Sequence, residues 1–131
     1  MFGTSGTYDY IGIAEIPAPT LAPDEPIDRR HLFKMTLGDQ SLEAEVLRLF
    51  ERQSAMLLAR MAEAGADAAK LRALAHTLNG SARGVGAWRV AHVAQAAEAA
   101  AADPALVAPA IEALHGAVGE AIAAIGVMLR S

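Results

Sequence analysis

The chain has 131 residues, a formal net charge of −4, few aromatics and no cysteine, so it suits one domain and excludes disulfide frameworks and thiolate metal sites. Alanine and leucine dominate and β-branched runs are rare, which reads as all-α. No apolar stretch of roughly 18 residues is free of breakers or charges, and no basic run precedes an apolar one at the N-terminus. Neither a membrane span nor a secretory signal is therefore expected, and the cytoplasm is the default setting.

Residues 1–26 read as an extended tail ahead of a helical domain at 27–131. Pro17, Pro19, Pro23 and Pro26 interrupt any helix there, while Tyr8, Tyr10, Ile11, Ile13 and Ile16 are available to pack on the domain. Asp28 is a good cap for a short first helix running to about Leu37 and stopping at Gly38. Asp39 or Ser41 starts a longer second helix, with Leu42, Val46, Leu49, Phe50 and Leu57 as its inward face, and Gly65 ends it. Asp67 caps a third helix carrying Leu71, Leu74, Ala75, Leu78 and Ala82 on one side, closed by Gly84 and Gly86. A fourth runs from about Ala87 to Ala102 with Val90, Val93, Ala94, Ala97 and Ala101 inward. Pro104 and Pro109 then predict a short turn over 104–108. The main fifth helix follows from about 109, with a stripe of Ile111, Leu114, Val118, Ile122, Ile125 and Leu129. Short connections favour antiparallel neighbours. The expected architecture is an antiparallel four-helix up-and-down bundle with a short additional N-terminal helix.

Charge is unevenly placed. Residues 1–28 hold Asp9, Glu15, Asp24, Glu25 and Asp28 and no Lys or Arg, whereas 69–97 hold Lys70, Arg72, Arg83 and Arg89 and no acid. A basic surface of this kind suits an acidic partner or a phosphate. It is too sparse for nucleic acid, which calls for a denser stripe interleaved with aromatics.

On a helical wheel His76 falls about 140° from Leu71, on the outer face of the third helix. Arg72, Ala73, Asn79, Gly80 and Arg83 share that face. A glycine inside a helix costs roughly 1 kcal/mol against alanine, so Gly80 needs a reason. It opens space beside His76, permits close helix packing, or is merely tolerated near the helix end. His92 also faces outward, but no charged groups are organised around it, and His31 and His115 have no recognisable setting. Trp88 reads as packing, and Ser81 as hydrogen-bonding locally near the helix end.

Residues 75–87, with His76, Leu78, Gly80, Ser81 and Gly86, resemble the His-x-Leu-Lys-Gly-Ser signature of histidine-containing phosphotransfer (HPt) domains. Gly38-Asp39 ahead of Leu47, Leu49 and Phe50, and Glu98 after the glycine turn, also look like that family, and the similarity covers roughly 28–130. The resemblance implies that His76 is phosphorylated, and that its face docks a response-regulator receiver domain. It further implies a phosphorelay intermediate that passes the group between a sensor histidine kinase or receiver and a response regulator. Such a module needs no cofactor, and the receiver would supply the metal ion and lysine that stabilise the phosphoryl charge. No nucleotide loop or metal-ligand pattern is seen, so autonomous kinase activity, a membrane partner and a nucleic-acid partner are not expected. Asn79 stands where the family usually has lysine. Arg83 or Arg72 is then the candidate cation, with Gly80, Asn79 and Ser81 supporting the site. The alternatives are a non-catalytic helical adaptor and a pseudo-HPt module that docks a receiver or kinase without transfer. A metal-binding bundle finds little support in four scattered histidines.

Overall fold

The computed structural model describes residues 25–130. The expected extended segment therefore lies, but for its last two residues, outside the described part of the chain. Five helices follow in order: α1 (Arg29–Thr36), α2 (Gln40–Ala64), α3 (Ala68–Val85), α4 (Trp88–Ala100) and α5 (Pro104–Arg130). Three aspartates start three of them in the same way. The carboxylates of Asp28, Asp39 and Asp67 accept from the backbone N–H of His31, Leu42 and Lys70 at 3.1, 3.0 and 3.1 Å, satisfying donors that a helix start leaves open. Gly65 and Gly86 stand at the ends of α2 and α3 with positive φ. At Gly86 a side chain is excluded twice over, because its φ is +81° and an added Cβ would meet the Asp28 carbonyl oxygen at 3.0 Å.

Helices α2 to α5 form the bundle, with α3 packed on α2 and α4, and α5 closing the ring against α4 and α2. The core takes Leu47, Phe50, Leu57 and Met61 from α2, Leu71 and Leu78 from α3, and Leu114, Val118 and Ile125 from α5. The inward face of α2 differs from the one the sequence suggests. Leu42 and Leu49 are 41% and 54% exposed, while Leu47, Leu58 and Met61 are buried in their place. The α4 helix contributes mainly alanines: Ala91, Ala94 and Ala97 are all buried.

A second difference lies in α5, which runs unbroken through Pro109 where a turn over 104–108 was expected. Proline removes one N–H bond and crowds the preceding turn. Here both Ala105 and Pro109 are exposed, so water can satisfy the freed carbonyl. The continued helix also carries Val107, Ala110 and Ile111 onto the lower core beside Met61, Leu71, Ala97 and Ala101. The unbroken helix is long and apolar enough, by length and composition, to cross a bilayer, which the sequence reading did not anticipate. In the fold its buried stripe forms one wall of the bundle.

The short α1 is fastened across the α3–α4 turn. Asp28 N–H donates to the Gly86 carbonyl at 2.9 Å, Trp88 Nε1 donates to Asp28 Oδ2 at 2.8 Å, and His31 meets the Trp88 ring edge-on at 4.9 Å between centroids. Burial alone would raise the Asp28 pKa, but the bonds from Trp88 and the His31 backbone outweigh it and hold the carboxyl below its ordinary value.

Candidate functional site

The rotation of α3 is set by its core residues. Ala75 and Leu78 are 2% and 0% exposed, which turns the two residues between them, His76 and Thr77, outward. His76 accordingly stands on the surface with 73% of its side chain exposed. Across the α3–α4 groove, Glu98 Oε2 lies 3.1 Å from His76 Nδ1. The register is dictated by the tight connection: only Gly86 and Ala87 separate the two helices, so residues equidistant from that turn face each other. Small side chains at the seam, Ala94 with none of its surface exposed among them, let α4 approach closely enough for Glu98 to reach.

This contact fixes what the imidazole can do. An ionised carboxylate only accepts, so in the neutral ring Nδ1 carries the proton and Nε2 presents its lone pair to solvent. Chemically the site is an exposed ring nitrogen, able to act as a nucleophile, whose opposite edge faces a carboxylate. Positive charge developing on the ring during attack would be stabilised by Glu98.

The surroundings separate into groups that serve this face and groups that do not. A Cβ added at Gly80 would meet nothing within 4 Å, so close helix packing does not account for the glycine, and the space beside His76 is open. Arg83 Nε donates to Asn79 Oδ1 at 3.0 Å, which ties the guanidinium to the residue standing in the usual lysine position. Arg72 is exposed on the same face and has no hydrogen bond or ion pair among the described residues. Arg89 instead pairs with Glu120 at 3.5 Å and leaves the site. Ser81 corrects the sequence reading: its hydroxyl reaches Gln53 Oε1 on α2 at 3.1 Å instead of bonding locally. His92 and His115 are exposed with no partner in the site, and His31 belongs to the Trp88 clamp. Among the described residues no three His, Asp or Glu side chains converge to hold a metal ion.

Two members of this arrangement were not read as site residues from the sequence alone. Glu98 entered only as part of a family likeness, although it is the sole acid in α4 and the two-residue turn places it opposite His76. Gln53 carried no signal, because its role depends on how α2 is rotated.

A family model described as Hpt domain matches residues 45–125, well over half of the chain. The matched stretch contains His76, Glu98 and most of the bundle. No curated protein and no solved structure matches significantly.

Proposed function

Since the chain belongs to the Hpt domain family, whose members are phosphorelay intermediates of two-component signalling, we propose that it carries a phosphoryl group on His76 Nε2. The observation that supports this best is the His76–Glu98 pair, which leaves one ring nitrogen exposed and free to attack. In the forward step Nε2 attacks the phosphorus of a receiver's aspartyl phosphate in line. The N–P bond forms, the P–O bond to the aspartyl carboxyl breaks, and the carboxylate leaves with the electron pair. The ring, now positively charged, keeps its Nδ1 proton against Glu98. The same geometry run backwards delivers the group to the next receiver, whose metal ion and lysine neutralise the equatorial oxygens. No general base is needed, because the attacking nitrogen has no proton to lose. The setting is the cytoplasm, and the chain itself is a relay without kinase activity of its own.

The test is to incubate the chain with a phosphorylated receiver and look for acid-labile, base-stable label. The expected result is labelling of the parent and of the His31→Gln, His92→Gln and His115→Gln variants, and none of His76→Gln. Labelling of a folded His76→Gln protein would overturn the assignment. One observation favours a second reading, a docking module without transfer: the usual lysine is Asn79, and Asn79 engages Arg83. Receiver binding without any phosphohistidine would select it.

A further inference from the structure

The exposed side of α2 carries an apolar seam that nothing in the described fold covers. Leu42, Leu49 and Met56 are 41%, 54% and 42% exposed and recur at intervals of seven, so they lie along one line of the helix. Met35 of α1, 58% exposed, adds to the end of the seam at the start of α2. There the seam deepens into a groove of about 280 Å³ between α1, α2 and α3, lined by Met35, Leu42, Leu49, Gln53, Ser81 and Gly84 among others. Exposed apolar side chains gathered at a groove mark a candidate interaction site.

The chain itself supplies a matching segment. Residues 8–16 hold Tyr8, Tyr10, Ile11, Ile13 and Ile16, with Asp9 and Glu15 as the only charges. The region ahead of Arg29 contains acids and no Lys or Arg, whereas Lys34, Arg52 and Arg83 stand exposed near the groove against one exposed acid on the seam, Glu45, and among the described residues only Arg83 of these three bases has a partner, Asn79. The chain also enters the bundle at the right end. Asp28 is bonded to Gly86, two residues from the groove's Gly84, and the α1 helix that leads to Met35 is 8 residues long, about 12 Å. The connector 17–28 can span about 37 Å at the 3.1 Å per residue of a proline-rich chain, so reach is not limiting. A second apolar groove, lined by Met61, Gly65, Val107, Ile111, Glu112 and His115, lies at the far end of the bundle, away from the point where the chain enters it.

We propose that residues 8–16 occupy the α1–α2–α3 groove in cis and thereby compete with a receiver for the surface around His76. The competition half rests on the phosphotransfer reading above; the occupancy half does not. Ser81 and Gly84 lie five and eight positions beyond His76, about 8 to 12 Å along α3. A receiver footprint of roughly 800 Å² centred on His76 extends about 16 Å, far enough along α3 to reach the groove's edge at Gly84. With an effective concentration on the order of 1 mM and an intrinsic Kd on the order of 0.1 mM, the groove would stand open about one-tenth of the time.

The absence of cysteine allows a clean experiment on the full chain. A spin label is placed on Ser5→Cys in ¹⁵N-labelled protein, and amide signals are compared with those of the reduced label. The expected result is broadening at Met35, Leu49 and Gly84 with Gly65 and Val107 untouched. The broadening should be lost in the Ile11→Asp/Ile13→Asp double variant and in Leu49→Asp, an exposed position whose change spares the core. No selective broadening, or broadening centred on Gly65 or Val107, overturns the occupancy. So does broadening that survives when the label is on one molecule and the ¹⁵N on another, which would assign the groove to a second copy. With a phosphorylated receiver at limiting concentration, the Ile11→Asp/Ile13→Asp variant should transfer about tenfold faster than the parent. Equal rates in the presence of proven occupancy overturn the competition alone. Absence of transfer in every variant overturns the phosphotransfer reading and leaves occupancy to be decided by the broadening.

Discussion

Glu98 holds His76 through one hydrogen bond of 3.1 Å, and the charge on that carboxylate is the part that matters for attack. Glu98→Gln keeps an acceptor for the Nδ1 proton and removes the charge. The difference between a charged and a neutral hydrogen bond is about 1–1.5 kcal/mol, which predicts roughly tenfold slower phosphotransfer with the fold unchanged. Glu98→Ala should slow it further and, in ¹⁵N spectra of the imidazole, mix the two tautomers. Rates equal to the parent in both variants would remove Glu98 from the reaction. Gly80 offers a complementary test, because its surroundings are empty. Gly80→Ala should stabilise the protein by about 1 kcal/mol in thermal or urea unfolding, since the helix gains and nothing clashes. Gly80→Gln should remain folded yet slow transfer at least tenfold or so by placing a long side chain one turn from the imidazole.

The helices that carry these residues were legible to different depths. The caps at Asp28 and Asp67 gave the starts of α1 and α3, and of the pairs Asp39 or Ser41 and Gly84 with Gly86 it is Asp39 that starts α2 and Gly86 that ends α3, because capping chemistry is local to the residues that perform it. The outward placement of His76 was readable from the wheel for the same reason. The inward face of α2 was not. The helix carries apolar residues on two sides, and choosing Leu47 over Leu49 depends on neighbours remote in sequence. Pro109 misled because the lost hydrogen bond that usually ends a helix at proline is cheap where the freed carbonyl faces water, as it does at the exposed Ala105. Gln53 and Glu98 act on α3 from other helices, so their parts became visible only with the bundle assembled. The α1 clamp carries its own prediction. Asp28 has a pKa below its ordinary value of 3.8 when folded. Its contribution to stability is therefore present above that value and is lost as pH falls through the lower, folded one. Trp88 fluorescence followed into this acid range should report release of α1. Asp28→Asn retains a capping side chain but presents one acceptor instead of two to Trp88 and His31. It should cost about 1–2 kcal/mol at neutral pH and flatten the acid limb.

Across the whole molecule, the site depends on how closely α4 lies against α3, and alanines decide that distance. Ala94→Leu, at a position with no exposed surface, should overpack the seam and cost about 1–3 kcal/mol in unfolding experiments. It should also slow transfer by lifting Glu98 away from His76, although neither residue is altered. Ala99→Leu, on the exposed side of the same helix, should do neither. The same alanines have a calorimetric consequence. Among the described residues, nine of the 23 buried apolar ones, Ala75, Ala82, Ala87, Ala91, Ala94, Ala97, Ala101, Ala117 and Ala121, are methyl-bearing only. Each hides little hydrocarbon from water while the backbone around it is fully ordered. Heat capacity of unfolding follows exposed hydrocarbon area, so differential scanning calorimetry should give less than the usual ~12–15 cal/mol/K per residue. A smaller heat-capacity change flattens the stability curve, so the unfolding free energy should vary little between refrigerator and room temperature instead of peaking sharply at one of them.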